Sequence, residues 1–495
     1  MPSRPPTPDS IPVAIVGGGF SGVSLAVQMV RAAQRPLAIS LIEPGDPGQG
    51  MAYSTADPDH RLNAPAQAHS VIAADIMHFS RWARAQGLAV RDPEALWSDG
   101  GAYFRRRDFA TYLAEALADH SHWAATGSTV SHLRDRVVAI RPTETGKVLT
   151  LASGAEVLTG MVILATGNPA LRLPAPLCRT WANDPRIVEN PFQPGRLAAI
   201  DPTSRVVILG TGLTTQDVIA TLIAQGHRGP ITALSRRGLR PRPLPANPPA
   251  MAYDQAPEGK IPPTMFLERV LGETPDFIPA TPRAIDWLRA LRRQVAKAVA
   301  EGGDWYPAFD ALRDSLWQLW PSLPLDQQRR VLRHLRPWYD AHRFRTAPQT
   351  DARVEAAIGA GQVSYQAARL LDLVSKDTTL NLTLRHRGHD TLAQIAADVL
   401  INATGLDTAA GIAANPLLTA LVDQGRARLD PLALGLDVDP HGRILRQNGQ
   451  PDPGLHAIGP LTLGSFGDPI GAIYIAIQIH RFLPAILEDL SELTR

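Results

Sequence analysis

Pro12-Val13-Ala14-Ile15-Val16 running straight into Gly17-Gly18-Gly19-Phe20-Ser21-Gly22 is the stretch on which the fold turns. The first five residues form a short apolar run, the pattern of a buried strand. The next six carry a GxGxxG spacing, and Val23 to Ala33 reads as the helix that follows. Each glycine has its own reason. Gly17 permits the tight turn, Gly19 lets a pyrophosphate approach the backbone, and Gly22 lets helix and strand pack closely. The helix N-terminus faces the phosphates, with Phe20 and Ser21 among the candidate cofactor contacts. The next strand, Leu37 to Ile42, ends in Glu43, about 20 residues past the last glycine, where a carboxylate accepts hydrogen bonds from an adenosine ribose. Strand, loop, helix, strand and terminal acid in register predict a dinucleotide site.

A second such unit lies farther along. Arg205 to Leu209 is an apolar strand, followed by Gly210-Thr211-Gly212-Leu213-Thr214-Thr215 and a helical segment to Gln225. Thr215 stands where a third glycine would be, which sets helix and strand slightly farther apart. The strand Pro230 to Leu234 ends in Ser235-Arg236-Arg237 rather than in an acid. That exchange removes repulsion of a 2′-phosphate and supplies donors to it, which predicts NADPH over NADH. A solvated basic turn is the alternative for the two arginines. Two dinucleotide sites in one chain point to FAD at the first and NADPH at the second.

Composition narrows the chemistry. With 495 residues, 44% hydrophobic and 19% charged, the chain has the balance of an ordinary globular protein with a sizeable core. A net charge of +2 argues against nucleic acid or an anionic membrane as partner. The one cysteine, Cys178, excludes an intramolecular disulfide and a CxxC redox pair, and with them disulfide-reductase chemistry. The 14 histidines show no metal-ligand spacing, so no metal is expected. Met1 to Ile11 lacks a signal-peptide core, and no apolar run reaches the roughly 18 residues of a membrane span. A cytoplasmic location is the expectation; the oligomeric state, a homo-oligomer included, stays open.

The chain carries a nested repeat. Strand-like pieces from Val130 to Leu158 lead to Met161-Val162-Ile163-Leu164-Ala165-Thr166-Gly167, and pieces from Val363 to Leu392 lead to Val399-Leu400-Ile401-Asn402-Ala403-Thr404-Gly405. The small residues after each strand suit backbone passing close to a ligand. Near the C-terminus come Gly459-Pro460 and Gly467-Asp468-Pro469-Ile470-Gly471, with Asp468-Pro469 as a helix start and an apolar helix to about Leu487. Such a helix N-terminus stabilises negative charge on a reduced flavin. Between Leu239 and Arg345 a Pro-rich opening, Pro241 to Pro249, precedes amphipathic helices such as Thr281 to Ala300 and Leu325 to Leu335, with Trp305, Trp317, Trp320 and Trp338 clustered there. Arg329, Arg330, Arg333 and Arg336 face either an anionic ligand or solvent. The expected fold is α/β, two Rossmann-like dinucleotide-binding domains with a helical insertion. Its boundaries are 1–195 for the first part of the FAD domain, 196–245 for the first part of the NADPH domain, and 246–345 for the insertion. The NADPH domain resumes over 346–395 and the FAD domain over 396–495.

On these motifs, with Gly50-Met51-Ala52-Tyr53, His60-Arg61-Leu62-Asn63-Ala64-Pro65 and Ala165-Thr166-Gly167-Asn168-Pro169, the chain resembles flavoproteins in which an NADPH domain is inserted into an FAD domain. It looks most like the class B flavin-dependent monooxygenases, and closest to a bacterial family described only as FAD/NAD(P)-binding proteins. Of the late motif of the N-hydroxylating ornithine and lysine enzymes it keeps Asp398 and Ala403-Thr404-Gly405 and departs at Asn402 and Leu406. The FxGxxxH signature of Baeyer–Villiger enzymes is absent.

The resemblance implies monooxygenation: NADPH delivers hydride to the flavin, O2 adds to it as a peroxide at C4a, and a small nucleophilic substrate, an amine foremost, takes one oxygen. A flavin dehydrogenase or oxidase without oxygen transfer, and a non-catalytic redox sensor, are the competing readings. Tyr53 and Asn63 belong to the segment that reaches the flavin ring by resemblance. Asn63 either hydrogen-bonds in the flavin plane or merely forms a turn. His60 either relays protons or makes a structural bond. Asn402 is a candidate contact to NADPH or substrate, and Thr166, Gly167, Thr404, Gly405, Gly459, Asp468 and Ile470 complete the candidate cofactor contacts.

Overall fold

The computed structural model describes residues 10–493, apart from 56, 124, 170, 172, 175–176, 178–180, 182–183, 244–264, 377 and 406–407. Cys178, Leu406 and most of Pro241–Pro249 therefore lie outside the described residues. Two sheets grow from the two glycine loops. In the first, β1 (Ile11–Val16) lies between β2 (Leu37–Ile42) and β7 (Met161–Leu164), parallel to both. β3 (Thr129–Leu133) extends one side, and β16 (Pro451–Ala457) with the antiparallel β15 (Arg443–Leu445) extends the other. In the second sheet β9 (Val206–Leu209) lies between β10 (Ile231–Ser235) and β14 (Val399–Asn402), again parallel to both. Every residue of β7 and β9 is buried, as a parallel strand covered on both faces requires.

The repeat read from the sequence is a repeat in space. β4 (Val137–Thr143), β5 (Gly146–Leu151) and β6 (Glu156–Thr159) form an antiparallel sheet ahead of β7. β11 (Val363–Lys376), β12 (Thr379–His386) and β13 (Leu392–Ala397) form the corresponding meander ahead of β14, joined to the second sheet through β10. β8 (Ile187–Val188) pairs with β14. The second sheet thus reaches past the boundaries at 195 and 396 drawn from the sequence.

The helical segment comprises Ala284–Ala300, Tyr306–Ser322, Leu325–Arg330, a π-helical turn at Val331–Leu335, and Arg336–Arg343. Trp287, Leu291, Leu312 and Trp320 form its core. The four tryptophans expected to cluster are dispersed. Trp320 is buried and donates to Gly464 O at 2.7 Å, Trp317 donates to Val270 O, Trp305 meets Phe309 and His342, and Trp338 is exposed. The C-terminal helix starts at Ala472, not at Asp468-Pro469, and runs to Glu492. No helix among the described residues is long and apolar enough to cross a membrane.

Candidate functional site

Both glycine loops are shaped by the Ala-Thr-Gly turn beside them. Ala165 N donates to Val16 O at 2.8 Å, and Ala403 N donates to Leu209 O at 2.7 Å. These bonds press the carbonyls of Ala165 and Ala403 against Gly17 and Gly210, where a Cβ would collide with the carbonyl oxygen. The two glycines also sit at φ of +108° and +119°, which L side chains avoid. The packing reason thus belongs to Gly17 and Gly210, while a Cβ on Gly167 or Gly405 would meet nothing within 4 Å.

The helices that leave the loops, Phe20–Ala32 and Leu213–Ala224, begin at Gly19 and Gly212 with no side-chain cap and no acid in the first turn. Unneutralised first-turn amides at the positive end of a helix dipole suit an anion. The loops differ in what faces them. A Cβ on Gly212 would meet nothing within 4 Å, whereas one on Gly19 would stand 3.4 Å from Gly50 Cα. Gly22 has a Cβ position filled by the Gly17 carbonyl, the close packing expected of the third glycine. Thr215 at the matching place is buried.

Glu43 accepts from Gly18 N at 2.8 Å and from Gly45 N at 3.0 Å, so its carboxylate is fixed beside the first loop with lone pairs left for hydroxyl donors. Tyr53 lies edge-on to Phe109 at 4.9 Å, its hydroxyl pushed up to about 12 by burial. Gly459 donates its N–H to Gln478 Oε1 at 2.7 Å, and a Cβ there would stand 2.7 Å from Ser21 Oγ.

A cavity of about 1010 Å³ spans the two units. Thr166, Gly167 and Asn168 line it from the first, and Gly210, Gly212, Thr214, Ser235, Arg236 and Arg237 line it from the second. Thr404, Gly405, Ile470, Arg333 and Arg336 also reach it, while Glu43, Tyr53, His60, Asn63 and Asn402 do not. Ser235 Oγ accepts from Thr211 Oγ1 and from Gly238 N, both at 2.9 Å, and so shapes the turn that carries the arginines. Arg236 is exposed. Arg237 donates to Arg333 O at 3.1 Å.

The helical segment is fastened to the loop ahead of the C-terminal helix. Asp468 Oδ2 accepts from Tyr339 OH at 2.9 Å and Arg343 Nε at 2.8 Å, and Arg343 Nη2 donates to Ile470 O at 2.6 Å. Burial foremost, then the Asp468 charge, drives the Tyr339 hydroxyl upward, so it stays a donor. Asp468 thus anchors the insertion instead of starting a helix. Arg343 and Tyr339 carried no sequence signal, since their partner stands 125 and 129 residues away.

Of the residues read as catalytic, two are fully engaged elsewhere. His60 is buried, with Nδ1 bonded to Thr55 Oγ1 at 2.7 Å and Nε2 to Thr221 Oγ1 at 3.2 Å, on the helix of the second loop. Both ring nitrogens thus bond to threonine hydroxyls. Asn402 is buried too; it donates to Glu189 O at 3.1 Å and accepts from Thr404 Oγ1 at 2.8 Å, holding the second Ala-Thr-Gly turn. Asn63 is half-buried, and its side chain has no partner among the described residues. Among the described residues no group of three or more His, Cys, Asp or Glu is placed to hold a metal ion.

Residues 14–169, from β1 through the first Ala-Thr-Gly turn, match a family model described as FAD-NAD(P)-binding. No curated protein matches the chain. Among solved structures, an ornithine N-hydroxylase of Kutzneria sp. 744 with reduced FAD, NADP+ and L-ornithine is 15% identical, with a TM-score of 0.59 over 98% of this chain and 99% of that one. An L-lysine 6-monooxygenase from Pseudomonas syringae is 14% identical, TM-score 0.57, over 98% and 100%. A cadaverine monooxygenase from Erwinia amylovora bound to FAD is 14% identical, TM-score 0.59, over 98% and 95%. The chain has the same fold: two Rossmann-type units with a helical segment between them.

Proposed function

We propose that this chain is an FAD- and NADPH-dependent monooxygenase that transfers one oxygen atom of O2 to a small nucleophilic substrate, an amine nitrogen foremost. The observation that carries the reading is the single cavity shared by the first unit's Thr166–Asn168 turn and the second unit's Gly210–Thr214 loop. A cavity open to both units is what hydride delivery between two bound nucleotides requires. The family model for residues 14–169 and the cofactors named in the similar structures support it.

The residues present fit both cofactors. The amides at Gly19 to Gly22 and the Glu43 carboxylate would hold the pyrophosphate and ribose of FAD. The open face of Gly212 and the guanidinium of Arg236 would hold the pyrophosphate and 2′-phosphate of NADPH. Bound there, flavin and nicotinamide supply hydride transfer and oxygen activation. The chain's own part is to orient, to hydrogen-bond and to exclude water. Asn63, with an uncommitted amide, is the candidate donor at the flavin edge. His60 and Asn402 are positioning residues, one tying the two units and the other fixing the Thr404 turn. The helical segment, clasped through Asp468, walls one side of the cavity through Arg333 and Arg336, and oxygen transfer without peroxide leakage demands cover of that kind from water.

Aerobic NADPH oxidation screened against amines, amino acids and thioethers tests this. The expected result is a yellow protein whose NADPH turnover rises with one substrate class and yields a product heavier by one oxygen. Stoichiometric peroxide release with every compound would assign it to flavin oxidases instead. A colourless protein that takes up no flavin would sink both.

A further inference from the structure

Four guanidinium groups line the cavity without an acidic partner among the described residues: Arg236, Arg237, Arg333 and Arg387. The other two cavity arginines are neutralised, Arg240 by Glu355 and Arg336 by Asp340 at 2.6 Å. The unneutralised four come from three separate segments: the turn after β10, the π-helical turn, and the connection after β12. Local bonds draw these segments together. Pro337 has no N–H, so the Arg333 carbonyl lacks the donor an α-helix would give it, and Arg237 donates to that carbonyl at 3.1 Å. On the other side Gly238 packs on Ala367, whose carbonyl accepts the Arg387 N–H at 2.8 Å. Four like charges around one cavity without counter-charge are a setting that a multivalent anion relieves. π-Helical turns of this kind occur often at functional sites.

We propose that Arg333 and Arg387 complete the 2′-phosphate pocket begun by Arg236 and Arg237, so that the phosphate distinguishing NADPH from NADH fastens the helical segment to the second nucleotide unit. This rests on the assignment of NADPH to the second loop. It makes Arg333 a specificity-determining residue supplied by the insertion, and it couples cofactor choice to closure of the cavity.

The test is calorimetric titration of the flavin-loaded protein with 2′,5′-ADP and 5′-AMP, which differ only in the 2′-phosphate, with hydrogen exchange of residues 325–343 in parallel. The wild type is expected to prefer 2′,5′-ADP and to exchange more slowly over 325–343 in its presence alone. Arg333→Ala and Arg387→Ala should each reduce that preference about tenfold while leaving 5′-AMP binding unchanged. Arg333→Ala should also abolish the exchange protection, and Arg333→Lys should restore part of the preference. Arg330→Ala, on the same helix but outside the cavity, should match the wild type. Wild-type preference in either alanine variant overturns the inference and leaves the NADPH assignment standing. No preference in the wild type itself overturns both.

Discussion

At the scale of single residues, the two loops separate what glycine does for the fold from what it does for a ligand. Gly210 has φ +119° and faces the Ala403 carbonyl, while Gly212 has φ −86° and open space where a Cβ would stand. Gly210→Ala should therefore cost about 3 kcal/mol or more in urea unfolding, since it adds a strained backbone to a clash with main chain. Gly212→Ala should change stability by no more than about 1 kcal/mol. It should nonetheless weaken NADP+ binding, because the methyl enters the space the pyrophosphate needs. Equal stability losses in the two variants would show that the open face of Gly212 has been misread. The same contrast marks where sequence reasoning stops. GxGxxG spacing announced that glycines were needed, but only the packed partner distinguishes the glycine that serves the turn from the one that leaves room.

Among the elements, the aromatic nest between the turn Ala66–Ala68 and the helices His78–Ala85 and Arg106–Trp123 makes stability depend on pH. Phe79 lies 4.9 Å from both Phe109 and Tyr112, and His69 lies 5.2 Å from Phe109. Burial pulls His69 from 6.5 down to about 4, against one bond to the Pro65 carbonyl, and it pulls His78 down to about 4 as well. The folded state resists protonating both rings, whereas the unfolded chain protonates them near 6.5. More protons on the unfolded chain means that stability rises with pH between about 4 and 6.5, and is lost on acidification through that window. His69→Gln with His78→Gln should flatten this acid limb; urea midpoints at pH 7 and pH 5 check it. A limb as steep as the wild type's would place the acid sensitivity elsewhere. No motif pointed to these histidines, because their burial comes from helices that converge only in the fold.

Over the whole molecule, the sequence disclosed the two nucleotide units because each is a local pattern: strand, loop, helix, strand within a short span. It disclosed the nested order because the meanders and Ala-Thr-Gly turns repeat. It did not disclose how the units meet, which depends on pairs far apart in the chain. Arg106 Nη2 donates to Asp217 Oδ2 at 2.6 Å, Thr221 Oγ1 donates to Asp57 Oδ2 at 2.7 Å, and Arg353 pairs with Asp59. His60 joins the same seam through Thr221, a contact that no pattern around residue 60 announces. All the second unit's partners but Arg353 lie on the helix that leaves the second glycine loop, so the seam sets where that loop sits relative to the first. Asp217→Asn should leave a nearly buried Arg106 without its counter-charge, at a cost of about 2–3 kcal/mol. The consequence expected for chemistry is specific. NADP+ affinity should hold, since the second loop and its arginines are intact, while flavin reduction by NADPH slows about tenfold or more, because hydride transfer is steep in donor–acceptor distance and the seam fixes that distance. Stopped-flow reduction with saturating NADPH, set beside equilibrium NADP+ binding, separates the two. Loss of binding with an unchanged limiting rate would mean that the seam supports the nucleotide site alone and leaves the alignment of the two units untouched.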